Sequence, residues 1–189
     1  MSEKRSASRA RRLKIQKTTY SGMFLALALV LPFLTGQIPQ IGSMLCPMHL
    51  PVLLCGFVCG WPWGLAVGFI APLLRSILFG MPPMFPTAAA MAAELAAYGA
   101  VTGFLYNKLS HSLPMLYISL LSAMISGRVL WGAVRYLLAG FGETAFTFSM
   151  FAAGAVFTAI PGIILQLVLI PPTVLLLDRT GIVLNGEGL

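Results

Sequence analysis

Four ionisable side chains lie inside long apolar stretches of this sequence: Arg75, Glu94, Arg128 and Arg135. A charged side chain at the centre of a bilayer costs roughly 2.5 to 3.5 kcal/mol, so these four are expected to face the protein interior rather than lipid. Because three of them are cationic and one is anionic, the interior that they line would carry a net positive charge. The set therefore predicts a binding site for a small anion within the membrane.

The spacing of three residues adds detail to this site. Arg128, Trp131 and Arg135 fall at positions i, i+3 and i+7, which share one face of a helix. Guanidinium groups bind carboxylates bidentately, and the indole would supply an apolar wall between them. The alternative is structural: Glu94 pairs with one arginine to hold helices together, and Arg135 reaches the outer surface. His49 would lie beside an external loop, where it contacts either a solute or a loop carbonyl.

Motifs for several other chemistries are absent from the sequence. It has no G-x-x-x-x-G-K-[ST] loop for ATP, no H-E-x-x-H pair for zinc and no G-x-S-x-G nucleophile elbow. Cys46, Cys55 and Cys59 form no C-x-x-C pair and are expected to be inert packing residues. We therefore predict that this chain is not an enzyme and holds neither a metal nor a cofactor.

The composition predicts the fold class. Hydrophobic residues make up 58% of the chain and charged residues 9%, with a mean hydropathy of +0.90. Soluble domains carry about 25% charged residues, so this is an integral membrane protein. Each spanning helix needs about 20 apolar residues. We predict an all-α bundle of six transmembrane helices, the last bent at Pro161, at residues 19–36, 48–60, 61–80, 87–106, 113–139 and 145–177.

The charge distribution predicts the topology and the domain organisation. Seven of the twelve Lys and Arg residues precede residue 18, and the positive-inside rule places such a segment in the cytoplasm. The prediction is a basic cytoplasmic tail at 1–18, a transmembrane substrate-binding domain at 19–178 and a cytoplasmic C-terminal tail at 179–189. The basic tail is interpreted as a topology signal beside membrane lipid, not as a nucleic-acid site. The four buried charges would then lie in the outward-facing half.

Rows of small residues indicate where helices pack closely. Gly56, Gly60, Gly64 and Gly68 recur at every fourth position, and alanines recur in the same way in the fourth span. Internal packing is the favoured interpretation, although docking of a second membrane subunit on the first or third span stays open.

Three segments resemble the substrate-binding S components of energy-coupling factor (ECF) vitamin transporters, and most closely the pantothenate-type subunits. They read CPMHLPVLLCG at 46–56, APLLRS at 71–76 and FGMPP at 79–83. The resemblance implies a six-helix bundle in the bacterial plasma membrane that captures a vitamin from outside, beneath the loop between the first two spans. It also implies partners, namely a transmembrane coupling subunit and two cytosolic ATPases that use ATP. Gly22 and Ala26 would form the coupling-subunit contact, in place of the alanine pair usual there.

These observations lead to a hypothesis of pantothenate capture. Arg75, Arg128 and Arg135 are candidates for the vitamin carboxylate, and Trp131 for an apolar wall. Contacts to hydroxyl or amide groups are assigned to two further side chains, Glu94 and His49, with the loop at 37–46 as the cover. Folate, biotin, lipoate, riboflavin or a pyrimidine precursor are alternatives. A second hypothesis is a non-transport membrane structural or assembly protein whose charged cluster only joins helices.

Overall fold

The computed structural model describes residues 2–35, 44–109, 111–140, 147–154 and 158–185, and these residues contain helices and no β-strand. A 3-10 helix, Leu31–Thr35, follows the first α-helix, and a π-helical turn, Met84–Ala88, precedes the fourth. The α-helices of the described residues are α1 (Ser2–Val30), α2 (His49–Cys59), α3 (Trp61–Phe79), α4 (Ala89–Lys108), α5 (Leu113–Ala139), α6 (Phe148–Ala152) and α7 (Ile160–Arg179).

Five helical segments are long and apolar enough to cross a membrane, and α2 is a shorter apolar helix. The spanning segments are Ser6–Leu34, Trp61–Phe79, Met84–Lys108, Leu113–Ala139 and Ile160–Arg179. At 1.5 Å per residue, α2 is only about 17 Å long, against about 30 Å of bilayer core. The predicted all-α membrane bundle is confirmed, while the count of six spans and the side of each terminus stay predictions.

The short helix α2 lies inside the bundle. Val52, Leu53, Cys55, Phe57 and Val58 are all fully buried. This helix packs against α1, α3, α4 and α7, so neighbouring helices rather than lipid cover most of its surface. A buried helix does not need the full thickness of the bilayer.

The predicted small-residue rows lie between helices. Gly64 of α3 and Gly99 of α4 approach so closely that a Cβ atom on either would overlap the backbone of the other. Gly56 of α2 lies against the Gly99 carbonyl and the Thr102 side chain. The internal-packing interpretation is therefore confirmed for these glycines, which allow α2, α3 and α4 to meet backbone to backbone.

In the described part of the predicted sixth span at 145–177, the structure has two helices rather than one bent helix. Helix α6 ends at Ala152, and Thr158 and Ala159 form a turn before α7 begins at Ile160. Pro161 occupies the first turn of α7, where its missing N–H would have had no partner within the helix. Pro161 therefore starts a helix instead of bending one.

Both ends of the chain contain more structure than simple tails. Helix α1 begins at Ser2, so the basic residues continue the first spanning helix. Near the other end, Leu184 N donates a hydrogen bond of 2.8 Å to the Val58 carbonyl. Pro62, four residues after Val58, has no N–H to occupy that carbonyl. Asn185 Nδ2 donates to the Gly103 carbonyl at 2.9 Å, so this C-terminal segment is attached to α2 and α4.

Candidate functional site

A buried carboxylate joins three helices. Glu94 of α4 is 1% exposed, and its Oε1 atom lies 2.9 Å from Arg128 Nη1 of α5 and 3.5 Å from His49 Nε2 of α2. The side chains of His49 and Arg128 are 4% and 14% exposed. These three predicted site residues are therefore brought together, from sequence positions up to 79 residues apart (128 minus 49).

A sharp turn places His49 at the start of α2. The backbone of Cys46 has a φ angle of 48°, in the left-handed region that residues with a side chain rarely adopt. Its carbonyl accepts a hydrogen bond of 3.0 Å from His49 N, and its Sγ atom lies 3.7 Å from Arg128 Nη2. The turn thus contacts Arg128 from one side while Glu94 contacts it from another.

Two further residues shape the site and were not predicted from the sequence. Tyr98, one turn after Glu94 on α4, is 1% exposed, and its ring centroid lies 5.2 Å from that of His49. Gly127, next to Arg128, provides the room, because a Cβ atom there would overlap the Tyr98 ring. The sequence signal that could have indicated them is their position: Tyr98 is four residues after the buried Glu94, and Gly127 directly precedes Arg128.

The C-terminal part of α5 carries the other two members of the predicted stripe. Arg135 Cζ lies 6.0 Å from the centroid of the Trp131 ring, as their spacing of four residues on one helix predicts. Trp131 in turn stacks on Phe151 of α6, with ring centroids 6.2 Å apart and an angle of 29° between the planes. The indole therefore forms part of the contact between α5 and α6.

Arg75 lies apart from this cluster. It is 3% exposed, donates a hydrogen bond to the Leu29 carbonyl of α1, and its Cζ atom lies 4.9 Å and 5.3 Å from the ring centroids of Phe33 and Phe79. The Leu29 carbonyl is available to Arg75 for two reasons. Pro32, three residues later, has no N–H, and in the 3-10 helix each N–H is directed at the carbonyl three residues back, which for Phe33 is that of Val30. Arg75 thus has surroundings different from those of Arg128, and which arginine binds the ligand carboxylate stays a prediction.

The segment expected to cover the site lies largely outside the described residues. Of the predicted loop at 37–46, the structure describes residues 44–46. Met44 and Leu45 pack with their backbone against Gly162 in the first turn of α7. Closure of the site by this loop therefore stays a prediction.

The two predicted partner-contact residues are accessible. Gly22 and Ala26 are both exposed on α1, and a Cβ atom on Gly22 would have no atom within 4 Å. The same face carries Met23 and Val30, each 58% exposed. Among the described residues, none covers Gly22, so this face of α1 is open to another helix.

The fold and the site together define a membrane-embedded protein in which an ion pair is enclosed between apolar helices. The chain belongs to a known family of this class: the family model described as "ECF transporter, substrate-specific component" matches residues 16–174. No curated protein and no solved structure matches the chain.

Family membership settles several of the predictions. The chain is a substrate-binding transport subunit and not an enzyme, and it acts on a small-molecule substrate together with other ECF components. It is a multi-pass plasma membrane protein. The resemblance is confirmed at the level of the family, and a non-transport structural or assembly role is excluded on the same ground.

Proposed function

We propose that this S component captures a small carboxylate vitamin from outside the cell, with pantothenate as the first candidate. The observation that carries the proposal is the enclosed group formed by Glu94, Arg128 and His49. Among the described residues, Arg128 Nε and both His49 nitrogens have no hydrogen-bond partner although they are buried. Buried donors and acceptors are nearly always satisfied, and an incoming ligand with carboxylate, hydroxyl and amide groups would satisfy these.

The roles of the individual residues follow from their surroundings. Arg128 is proposed to bind the carboxylate, because its guanidinium is enclosed and keeps a donor available. Trp131 is proposed as the apolar wall, and Arg135, about two turns along α5 from Arg128, as a second cation outside the enclosed group. Glu94 and His49 are proposed to contact hydroxyl or amide groups. Arg75 was a further candidate, but its contacts with α1 favour a supporting role.

Uptake requires the partners of the family. We propose six spans with both termini in the cytoplasm, where two ATPases would use ATP, so that this chain itself needs no cofactor. The transmembrane coupling subunit is proposed to contact the exposed face of α1 at Gly22 and Ala26. Small residues at this position allow a second helix to approach closely.

A thermal-shift panel tests the substrate. Purified protein is heated in detergent with pantothenate, biotin, lipoate, folate, riboflavin or a pyrimidine precursor. A ligand at a hundred times its Kd stabilises the folded state by about 2.7 kcal/mol, which raises the unfolding temperature measurably. Pantothenate is expected to give the largest shift. If another member of the panel stabilises the protein most, that vitamin replaces pantothenate as the proposed substrate. If no acid in the panel stabilises the protein, the proposal is rejected.

A binding measurement then tests the residue assignment. Arg128→Ala is expected to weaken pantothenate binding by at least about tenfold, which corresponds to 1.4 kcal/mol. Arg179→Ala, at the end of α7, removes one cation away from the site and serves as the control. Equal affinities for the two variants would contradict the role of Arg128.

A further inference from the structure

The enclosed group has no spare charge with which to receive an anion. Glu94 Oε1 lies between Arg128 Nη1, at 2.9 Å, and His49 Nε2, at 3.5 Å. Counting one negative charge for Glu94, one positive charge for Arg128 and none for His49, the formal charges of the three side chains sum to zero. A ligand carboxylate brought beside Arg128 would leave one uncompensated negative charge among buried groups, which the low dielectric of such a site makes very unfavourable.

A single proton would restore neutrality, and the geometry limits where it can go. Arg128 is already protonated, and so are the thiol of Cys46 and the phenol of Tyr98, which face the same group. Of the charged groups on the helices around it, those of α1 lie at or before Lys17, and Lys108 is in the last turn of α4. Arg75 of α3 donates to Leu29, and the charged groups of α7 are Asp178 and Arg179 in its last turn. Arg135 lies about two turns further along α5, beside Trp131. Among the residues that the structure describes around this group, His49 and Glu94 are the two that can accept a proton.

We propose that an acidic ligand binds together with one proton, which is taken up by the pair of His49 and Glu94. His49 becomes a cation beside Glu94, or Glu94 becomes neutral and releases Arg128 to the ligand. Either arrangement gives a site of zero net charge with Arg128 bound to the ligand carboxylate. The inference rests on the proposed function and adds that the ligand carboxylate takes over the contact with Arg128 that Glu94 makes in this structure.

The linkage gives the direction of the pH dependence. Because the complex holds one more proton than the free protein and ligand, binding strengthens as the pH falls. The ligand carboxylate itself stays ionised, since its ordinary pKa lies near 4. The affinity should rise by up to about tenfold for each unit of pH, over the range in which the pair is unprotonated in the free protein.

Calorimetry on the full chain measures the proton directly. Pantothenate is titrated into the wild-type protein at mildly acidic and mildly alkaline pH, each in phosphate and in Tris buffer. The difference in heat between the two buffers gives the number of protons exchanged, which is expected to be about one taken up per ligand bound. Binding without proton uptake would overturn the inference and leave the proposed function intact, whereas no binding of any acid would overturn both.

Glu94→Gln separates this coupling from a merely structural role. The variant leaves Arg128 as an uncompensated cation, so the ligand neutralises the site without a proton. It is expected to bind pantothenate at least about tenfold more tightly than wild type at alkaline pH, with no proton uptake. Asp178→Asn removes a carboxylate at the other end of α7 and should keep the wild-type pH dependence. A Glu94→Gln protein with the wild-type pH dependence would contradict the inference, and wild-type calorimetry alone decides it if that variant does not fold.

Discussion

The guanidinium of Arg75 in α3 donates a hydrogen bond to the Leu29 carbonyl at the end of α1. Phe33 and Phe79 contact each other edge to face, and both ring centroids lie about 5 Å from the charged carbon. An arginine in an apolar span was predicted to bind an anion, and here its described partners are a carbonyl and two aromatic rings. The contact fixes the end of α1, from which the chain leads towards the predicted covering loop.

Arg75→Met tests this supporting role. It keeps an unbranched apolar side chain but leaves the Leu29 carbonyl without its donor, which is expected to cost about 1 to 3 kcal/mol of stability. The pantothenate Kd should change less than it does in Arg128→Ala. Thermal unfolding and calorimetry measure the two effects, with Arg179→Met as the control. An unchanged unfolding temperature would contradict the supporting role. A loss of affinity larger than in Arg128→Ala would assign Arg75 to the ligand.

The ion pair between Arg128 and Glu94 is expected to couple α4 to α5. Removing one partner of a buried pair typically costs about 3 to 5 kcal/mol, because the other charge stays buried alone. Arg128→Met and Glu94→Gln should therefore each lower the unfolding temperature of the empty protein. The double variant should be more stable than the sum of the two losses predicts. Strictly additive losses would show that the two side chains do not interact.

Gly64 is expected to tolerate no side chain. Gly64→Ala places a methyl group against the Gly99 backbone, and separating two packed helices costs about 1 to 3 kcal/mol. Gly22→Ala is the matched control, since the space around Gly22 is open. Thermal unfolding should show a loss for Gly64→Ala and none for the control. Equal behaviour of the two variants would mean that α3 and α4 are not in close contact.

Gly22 is expected to matter for assembly rather than for folding. Gly22→Leu should leave the unfolding temperature and the vitamin affinity unchanged, while it weakens co-purification with the coupling subunit. Ala133→Leu adds the same bulk to an exposed position of α5 and serves as the control. If both variants assemble like wild type, the coupling subunit does not use this face of α1.

Asn185 is expected to stabilise the fold from outside the spanning region. Asn185→Ala removes the hydrogen bond to the Gly103 carbonyl, at an expected cost of about 1 kcal/mol. Thr18→Ala removes a hydroxyl that bonds only within the exposed part of α1, so it should have little effect. A loss in Thr18→Ala as large as that in Asn185→Ala would argue against the anchoring of this segment.

Much of the fold could be predicted from the sequence, because helix formation and membrane insertion depend on local properties. The span predicted at 61–80 is observed as Trp61–Phe79, and the span at 113–139 as Leu113–Ala139. The prediction was wrong at 145–177, where Pro161 begins α7 instead of bending a longer helix. A proline has the same covalent structure in both cases, so its sequence position alone does not distinguish a kink from a helix start.

The sequence by itself determined that this is a helical membrane protein, that its few buried charges face inward, and that Arg128, Trp131 and Arg135 share one face of a helix. It determined these features because hydrophobicity and helical periodicity act over a few neighbouring residues. Only the tertiary structure decided that Glu94 pairs with Arg128 and approaches His49, while Arg75 joins Leu29. Those distances depend on the rotation and depth of separate helices, which are set by side-chain packing along their whole length.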